Sequence, residues 1–398
     1  MSTNKKEICL KHQLILLTRN LIVIGYKKKF KISRPTITIW SLIQQLRTLK
    51  SEELANSLKI RKFESKFASK HGANFHAVAI NSGTNAIFVI LRYLKLNKDD
   101  EVIVPSFNFI AAANAVIMAG GKVKFVDVDP STLLIDFDKL EKSISSRTKA
   151  VVIVHLFGRN VDLDLIKKFI KRYPDIQVIE DCAQSLGSEY ADGQLSGTVG
   201  LASAFSFYPS KNITTGEGGM VLSNNTNLIN FVKVFINQGM SSRYNYIYVG
   251  LNLRMSALNA SLGLEQLNNL NSFIKKRRLI ASIYIEQINK DILSKNVLMV
   301  IGHSYNSFTL LCPSNQIRDE LSKRLEKSGI ETRIFYPSSL TEVKHFEIES
   351  SNNVSTVDFR VTKDLTKRVL QIPIYPKLSK FDAYYISQII NSHYESLK

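Results

Sequence analysis

The sequence predicts an α/β protein whose larger domain is built around a mainly parallel β-sheet. Three observations support this fold class. From residue 76 onward, short apolar segments rich in Val, Ile and Ala alternate with segments of helical spacing. The apolar segments are hydrophobic throughout rather than at every second position, which is typical of strands covered on both faces. With 398 residues, the chain is long enough for two domains with a substantial core.

The first part of the chain is predicted to be a basic extension followed by two helices. Residues 1–32 hold eight Lys and Arg residues against one acid, Glu7. Residues 40–49 and 61–71 have apolar side chains at helical spacing, and the second segment ends near Gly72. We therefore place the start of the ordered domain at residue 33.

The central part of the chain is predicted to form the sheet. In such sheets, ligands bind outside the carboxyl ends of the strands, so polar residues that follow the strands are candidates for a site. The predicted strands are 76–80, 102–104, 123–128, 150–156, 177–179, 202–207 and 219–222. The predicted helices among them are 85–94, 108–119, 138–144, 163–172 and 228–237.

The last part of the chain is predicted to form a smaller α+β domain. A long helical stretch, 257–288, would link it to the sheet domain, and the polar residues 341–360 are expected to form a loop. The other predicted elements are strands at 307–311 and 331–335, a helix at 314–328 and a terminal helix after Lys380. The predicted organisation is an extension (1–32), a large domain (33–256), and a linking helix with a small domain (257–398).

The net charge of +19 leaves several partners open. Residues 1–32 supply +7 of it, and the remaining +12 is spread along the chain without a long basic block or an RNA-binding motif. Binding to nucleic acid or to an anionic surface is compatible with this balance but is not specified by it. An anionic small substrate fits the charge equally well.

Hydrophobicity and cysteine usage predict a cytoplasmic protein without a membrane span or a metal site. The chain has no run of about 18 uncharged apolar residues, and the nearest approach, residues 14–26, is interrupted by Arg19. The three cysteines, Cys9, Cys182 and Cys312, lack the spacing of metal ligands and cannot all pair. This usage is typical of a reducing compartment.

One lysine is distinguished by its position. Residues 205–212 end an apolar strand, pass through Pro209 and place Lys211 before a polar, glycine-rich loop. A lysine held on such a turn can lose its proton and act as an amine nucleophile, as a Schiff-base enzyme requires. Taken alone, a solvated loop lysine is the more common explanation.

Two hydroxyl-bearing segments could bind a phosphate near this lysine. Ser82, Gly83 and Thr84 lie between a predicted strand and a predicted helix, where free N–H groups and hydroxyls suit an anion. A plain helix N-cap is the alternative for this segment. Ser206, five residues before Lys211, could supply a further hydroxyl.

Acidic and aromatic residues follow two other predicted strands. Glu180 and Asp181 are adjacent at a buried strand end, which is costly unless at least one of them has a partner. A carboxylate there could hold the protonated nitrogen of a pyridine ring, although a helix N-cap or a surface acid explains it equally well. Phe107 and Phe109 could stack on a flat ring, but any single phenylalanine is more often a core residue.

Together, these segments supply a phosphate cradle, a stacking ring, a carboxylate and a lysine on one sheet, which are the parts of a pyridoxal-phosphate site. The chain resembles the DegT/DnrJ/StrS nucleotide-sugar aminotransferases from about residue 33 almost to the C-terminus. The resemblance implies the aspartate-aminotransferase fold, fold type I of the pyridoxal-phosphate (PLP) enzymes. It is carried by Asn81-Ser82-Gly83-Thr84-Asn85-Ala86, by residues 100–107, 125–130, 155–158, 180–184 and 205–212, and by residues 250–256 and 370–376.

The resemblance implies a role for each candidate residue. Lys211 matches the Schiff-base lysine and Asp181 the partner of the pyridine nitrogen. Gln184 would lie beside the phenolic oxygen of the cofactor, and Phe109 matches the stacking position. The phosphate contacts match Gly83, Thr84 and Ser206.

The resemblance also implies a homodimer with shared active sites. Asn252 falls in the segment that reaches the cofactor phosphate of the other subunit in the family, with Arg254 as the alternative residue for this contact. The implied reaction moves an amino group from an amino acid, usually glutamate, to a nucleotide-linked keto-sugar for polysaccharide or glycan synthesis. Residues 213–219 resemble the branch that aminates 4-keto-6-deoxy sugars.

Three other functions are compatible with parts of the sequence. An aminotransferase of the same family that acts on 3-keto-sugars differs only in loops whose structure the sequence does not predict. A non-catalytic PLP-binding regulator would share the fold, because fold does not dictate activity. Nucleic-acid binding would rest on the basic composition alone.

Overall fold

The computed structural model describes residues 28–55, 57–298, 301–346 and 359–398. Its centre is a sheet whose strands, in spatial order, are β1, β7, β6, β5, β4, β2 and β3. Their bounds are β1 (His76–Ile80), β2 (Glu101–Pro105), β3 (Lys122–Val126), β4 (Thr148–Val154), β5 (Gln177–Asp181), β6 (Ala202–Ser206) and β7 (Gly219–Ser223).

The sheet is mainly parallel, as the sequence predicts. Strands β2 to β6 pair in parallel, whereas β7 runs antiparallel to both of its neighbours, β1 and β6. From Ala150 to Val154, β4 is buried at every position, which explains its unbroken apolar sequence. Strand β7 is antiparallel to both β1 and β6, so β1 runs parallel to β6. The carboxyl end of β1 therefore lies at the same edge of the sheet as the carboxyl ends of β2 to β6.

Helices cover both faces of the sheet, and two further two-stranded pairs lie outside it. The helices are α1 (Ile39–Lys50), α2 (Leu58–His71), α3 (Gly83–Tyr93), α4 (Ala111–Ala119), α5 (Phe137–Ser143), α6 (Leu163–Arg172), α7 (Thr226–Phe235), α8 (Ala257–Gln287), α9 (Asn315–Lys327), α10 (Arg360–Arg368) and α11 (Lys380–Glu395). The pairs are β8 (Met240–Ser242) with β9 (Asn245–Tyr246), and β10 (Phe308–Leu311) with β11 (Val369–Ile372). Within the described residues, no helix is long and apolar enough to cross a lipid bilayer.

The long helix α8 connects two hydrophobic cores. Its first half packs through Leu267 and Phe273 in the core beneath the sheet. Its second half packs through Ile280 and Tyr284 in a separate core with β10, β11 and α11. Phe30 is buried in this second core, so the end of the predicted extension is packed there, whereas residues 1–27 lie outside the described residues. The domain boundary at residue 256 stays a prediction.

In the C-terminal part, one predicted strand is wrong and one helix was not predicted. No strand forms at 331–335: Arg333 makes only an isolated bridge to Gln371, and the N–H of Phe335 donates to the side chain of Gln371 rather than to a backbone oxygen. Helix α10, in contrast, was not predicted. The predicted loop at 341–360 lies largely in 347–358, outside the described residues.

Helix α10 is held by a carboxylate that lies far away in the sequence. Asp127, just beyond β3, is fully buried and accepts hydrogen bonds from the backbone N–H groups of Val361 and Thr362. It also accepts from the Thr362 hydroxyl at 2.7 Å. Asp127 therefore caps α10, whose own N-cap residue, Phe359, has no side chain that could do so.

Candidate active site

A cavity of about 430 Å³ opens at the carboxyl edge of the sheet. Its floor is formed by residues that directly follow or end β1, β2, β5 and β6, as expected for a ligand site in an open α/β sheet. The opposite wall comes from residues before β10 and around β11. The cavity residues that matter most for chemistry are Ser82, Gly83, Thr84, Asn108, Phe109, Asp181, Gln184, Ser206, Lys211, Asn306 and Tyr336.

Lys211 lies on a turn at the cavity and is partly buried. Its N–H donates to the carbonyl of Tyr208 at 2.9 Å, which fixes the turn after Pro209. Burial lowers the pKa of Lys211 to about 8, although the negative charge of Asp181 acts in the opposite direction. A far larger share of this amine is therefore neutral near pH 7 than of a solvated loop lysine, and the neutral amine is the nucleophilic form.

Asp181 ends β5 and faces the cavity with little hydrogen bonding of its own. The N–H of Ala183 donates to its Oδ1 atom at 3.0 Å. Burial raises the pKa of Asp181, and the charge of Lys211 partly offsets this effect. A buried carboxylate with so few donors is suited to a cationic ligand group, such as the protonated nitrogen of a pyridine ring.

Glu180, the adjacent acid, does not line the cavity and is held by hydrogen bonds within the fold. Its carboxylate accepts from Tyr190 Oη at 2.7 Å, from His155 Nε2 at 3.0 Å, and from three backbone N–H groups at 197, 199 and 200. These hydrogen bonds lower the pKa of Glu180 to about 2 despite complete burial. His155 is oriented by the N–H of Val161, which donates to Nδ1, so Nε2 carries the proton that faces Glu180.

The phosphate cradle predicted from the sequence lies at the N-terminus of α3. Ser82 caps this helix by accepting from the N–H of Asn85 at 3.2 Å, so the N-cap interpretation is confirmed, whereas the phosphate contact stays a prediction. The N–H groups of Gly83 and Thr84 occupy the first two helical positions and have no partner inside the helix. A Cβ atom on Gly83 would lie 2.8 Å from Cβ of Ser206, which explains why glycine is required between the two elements.

The two candidate phenylalanines separate into different roles. Phe107 is 1% exposed and belongs to the core, whereas Phe109 is 55% exposed and lines the cavity. Gln184 lies deeper in the cavity: its Oε1 accepts from the N–H of Phe157 at 3.1 Å, and its Nε2 donates to Tyr336 Oη at 2.9 Å. These two bonds fix the orientation of the Gln184 amide.

Asn252 does not lie in the cavity of a single chain. Its side chain is exposed, and its backbone forms a bridge with Asn237. Arg254, the alternative residue, donates from Nη1 to Oδ1 of Asn237 at 2.5 Å. A role for either residue at the cofactor would require a second copy of the chain, so it stays a prediction.

Three cavity residues were not predicted from the sequence. Asn108 is 3% exposed, and its Nδ2 has no hydrogen-bond partner among the described residues. Asn306 donates to the carbonyl of Ser210 at 3.3 Å, on the residue before Lys211. Tyr336 directly follows the segment 331–335, which was expected to be a strand. Only Asn108 had a detectable signal, because it follows a predicted strand directly.

The fold and the cavity together define a PLP-dependent enzyme of fold type I. The fit to this cofactor can be tested on the residues present. The lysine of lowered pKa, the sparsely bonded buried carboxylate and the glycine-lined helix N-terminus match its aldehyde, ring nitrogen and phosphate. The orphaned Nδ2 of Asn108 is a donor that a bound acceptor would satisfy. The residues fit the cofactor.

The family can be stated from sequence comparison. The model of the DegT/DnrJ/EryC1/StrS aminotransferase family matches residues 42–391, so the chain belongs to this family. The family is PLP-dependent, in agreement with the cofactor expected from the sequence.

Individual relatives span most of the chain. It is 35% identical over 338 residues to the GDP-perosamine synthase of Escherichia coli O157:H7, covering 84% of this chain and 90% of that protein. It is 32% identical over 317 residues to a UDP-N-acetyl-3-dehydro-alpha-D-glucosamine 3-aminotransferase of Acidithiobacillus ferrooxidans, covering 79% and 83%. Among solved structures, the Helicobacter pylori aminotransferase PseC, involved in pseudaminic acid biosynthesis, superposes with a TM-score of 0.86 at 26% identity, covering 93% and 100%.

Proposed function

We propose that this aminotransferase moves an amino group from glutamate to a keto-sugar carried on a nucleotide diphosphate. Two of its relatives are named for GDP- and UDP-linked sugars, which supports a nucleotide-linked acceptor. We propose a 4-keto-6-deoxyhexose as the acceptor, because residues 213–219 resemble that branch of the family. The product would serve the synthesis of a cell-surface polysaccharide or glycan.

The observation that carries this proposal is the location of Lys211 and Asp181 in one cavity at the ends of β5 and β6. An amine of lowered pKa and a buried carboxylate are the two groups that transamination needs at opposite ends of the cofactor ring. When bound, PLP would supply the electron sink that stabilises the charge left at the donor's α-carbon after proton removal.

The residues of this chain would hold the reactants and move one proton. Lys211 would hold the cofactor until the amino donor displaces it. Its free amine would then take the proton from the α-carbon of the donor and, in the second half of the reaction, deliver a proton to the sugar carbon. Asp181 would keep a proton on the ring nitrogen. Phe109 would stack on the ring, and Gln184, held by Phe157, would donate to the phenolic oxygen.

A second copy of the chain would complete the anion contacts. Among the described cavity residues, Lys211 is the only cation, although the cofactor and both substrates are anionic. The surface that includes Asn252 and the β8–β9 hairpin is rich in exposed apolar side chains, such as Tyr244 and Val249. Exposed apolar surface of this kind favours a protein–protein contact. We therefore propose a homodimer in which Asn252 reaches the partner's cofactor phosphate.

The experiment that tests the acceptor is a panel of nucleotide-linked keto-sugars assayed with glutamate. The panel contains GDP- and dTDP-linked 4-keto-6-deoxyhexoses and a UDP-linked 3-keto-hexose, and the readouts are 2-oxoglutarate release and the mass of the amino sugar. We expect turnover of a 4-keto acceptor. Turnover of the 3-keto sugar alone would favour the alternative that a 3-aminotransferase relative supports.

Addition of glutamate to the PLP-loaded protein, followed by visible absorbance, separates an enzyme from a non-catalytic PLP-binding regulator. A regulator would develop the visible absorbance of lysine-bound cofactor, but glutamate would leave that absorbance unchanged. Lys211→Ala should abolish both the absorbance and the turnover. A wild-type protein that stays colourless with added PLP would contradict the cofactor role of Lys211.

A further inference from the structure

The side-chain amide of Gln184 is held from two sides by parts of the chain that lie far apart in the sequence. The N–H of Phe157, in the loop after β4, donates to Oε1 at 3.1 Å. The Nε2 atom donates to the hydroxyl oxygen of Tyr336, in the C-terminal part of the chain, at 2.9 Å. Because a backbone N–H can only donate, Oε1 must face Phe157, and the nitrogen is turned towards Tyr336.

The backbone of Phe157 has a conformation that a bulky side chain disfavours. Its φ is 60° and its ψ is 7°, in the left-handed region, where an aromatic residue is an outlier. The ring is fully buried, and the carbonyl accepts from the N–H of Ser307 at 3.2 Å, so the surrounding contacts hold this conformation. Residues strained in this way cluster at functional sites. Here the conformation directs the N–H of Phe157 at Gln184.

The ring of Tyr336 is held by aromatic contacts with the sheet domain. Its centroid lies 5.9 Å from that of Phe107, edge-on, and 6.4 Å from that of Phe157, in a stacked arrangement. Burial raises the pKa of Tyr336 well above its ordinary value, and the hydrogen bond from Gln184 only partly offsets this effect. The hydroxyl of Tyr336 therefore stays neutral near pH 7, and its position is set by the two phenylalanine rings.

The second N–H of Gln184 can reach a ligand in the cavity. A primary amide carries two N–H groups, and among the described residues Nε2 donates only to Tyr336. The two N–H bonds diverge by about 120°, so an acceptor on the second one would lie about 5 Å from the Tyr336 oxygen. The phenolic oxygen of the cofactor, which the resemblance to the family puts beside Gln184, would therefore share this nitrogen with Tyr336 without touching Tyr336 itself.

We propose that Tyr336 is a positioning residue that acts, through Gln184, on the proton carried by the Lys211 nitrogen in the lysine-bound cofactor. That proton is attracted to the negative phenolic oxygen of the cofactor. A donor that stabilises the charge of the oxygen favours the form in which the proton has left. Tyr336 keeps Gln184 Nε2 in place as this donor. Loss of the Tyr336 bond should therefore raise the pH at which the Lys211 nitrogen loses its proton.

The test is a pH titration of the PLP-loaded protein without either substrate, so its result does not depend on which keto-sugar is the acceptor. Visible absorbance reports the proton on the Lys211 nitrogen. Tyr336→Phe removes one hydroxyl and keeps the ring contacts, and we expect its midpoint about one pH unit above that of the wild type, because a donor to a charged acceptor is weakened. The other ionisable residues that line the cavity, Asp181, Tyr208 and Glu217, are the same in both proteins.

A double-mutant cycle shows whether Tyr336 acts through Gln184. Gln184→Ala should raise the midpoint at least as far as Tyr336→Phe does, since it removes the donor itself. Tyr336→Phe added to Gln184→Ala should then give no further shift, because the two residues form one unit. Tyr208→Phe is the matched control: it removes a hydroxyl from the same cavity but no hydrogen bond to Gln184, so the midpoint should not move. A melting temperature within a few degrees of the wild type shows that each variant is folded.

Three results would overturn the proposal. The first is an unchanged midpoint in Tyr336→Phe. The second is an equal shift by Tyr336→Phe with and without Gln184, which would show that Tyr336 acts on the cofactor directly. The third is a folded Tyr336→Phe protein that does not bind PLP, because an effect of that size could not pass through one amide hydrogen bond.

Discussion

The lowered pKa of Lys211 leads to a quantitative prediction about cofactor capture by the apo-enzyme. An ordinary lysine has a pKa of 10.5, whereas burial brings that of Lys211 to about 8. At pH 7 the neutral fraction of the amine is then about 300-fold larger than for an ordinary lysine. Only the neutral amine attacks the aldehyde, so capture should accelerate roughly tenfold per pH unit below 8 and level off above it.

The assay is rapid mixing of cofactor-free enzyme with PLP over a pH series, followed by visible absorbance. N-acetyl-lysine amide serves as the reference for the ionisations of PLP itself. Asp181→Asn should move the midpoint to lower pH, because the charge of Asp181 raises the pKa of Lys211. A rate that keeps rising to pH 10, in parallel with the reference amine, would refute the reasoning.

Three further predictions concern the surroundings of the site. Glu180→Gln should lower the free energy of unfolding by about 3 kcal/mol, measured by denaturant titration, because five donors lose a charged acceptor. The folded pKa of Glu180 is about 2 against 4.5, so this stabilisation should be present above pH 4.5 and be lost as the pH falls towards 2. Gly83→Ala should weaken PLP binding on the order of tenfold in equilibrium dialysis, since the added methyl group would lie 2.8 Å from Ser206 Cβ. Asn306→Asp should raise the pH midpoint of capture by Lys211, because it places a negative charge beside Ser210, and such a charge favours the protonated amine. The melting temperature should stay within a few degrees, and an unchanged midpoint would show that residue 306 does not act on the lysine.

The sheet could be predicted from sequence because its signals are local. The buried strand β4 is apolar from Ala150 to Val154, and this pattern can be recognised without reference to the rest of the chain. Helix α10 could not be predicted, since its N-terminus is capped by Asp127, more than 200 residues earlier. The false strand at 331–335 has a similar cause: the N–H of Phe335 is satisfied by the side chain of Gln371.

In the candidate site, too, some residues could be predicted from local signals and others depend on contacts between distant parts of the chain. Gly83, Asp181 and Ser206 directly follow or end strands, so the rule for parallel sheets brings them to one edge from sequence alone. Asn306 and Tyr336 come from the C-terminal part of the chain, and their positions depend on how that part packs against the sheet domain, where the Tyr336 ring contacts Phe107. Asn252 could be assigned only through the resemblance, because its proposed contact lies in a second chain.

The order of strands in the sheet has a consequence for synthesis of the chain on the ribosome. Strand β1 is made first, but within the sheet it pairs only with β7, about 140 residues later. At typical elongation rates of 5–20 residues per second, β1 waits roughly 7 to 30 seconds for its partner. An apolar strand with open edges is prone to aggregate during such an interval. We therefore expect the nascent chain to need chaperone protection until residue 223 has emerged, and the cofactor cradle that follows β1 to form only after that point.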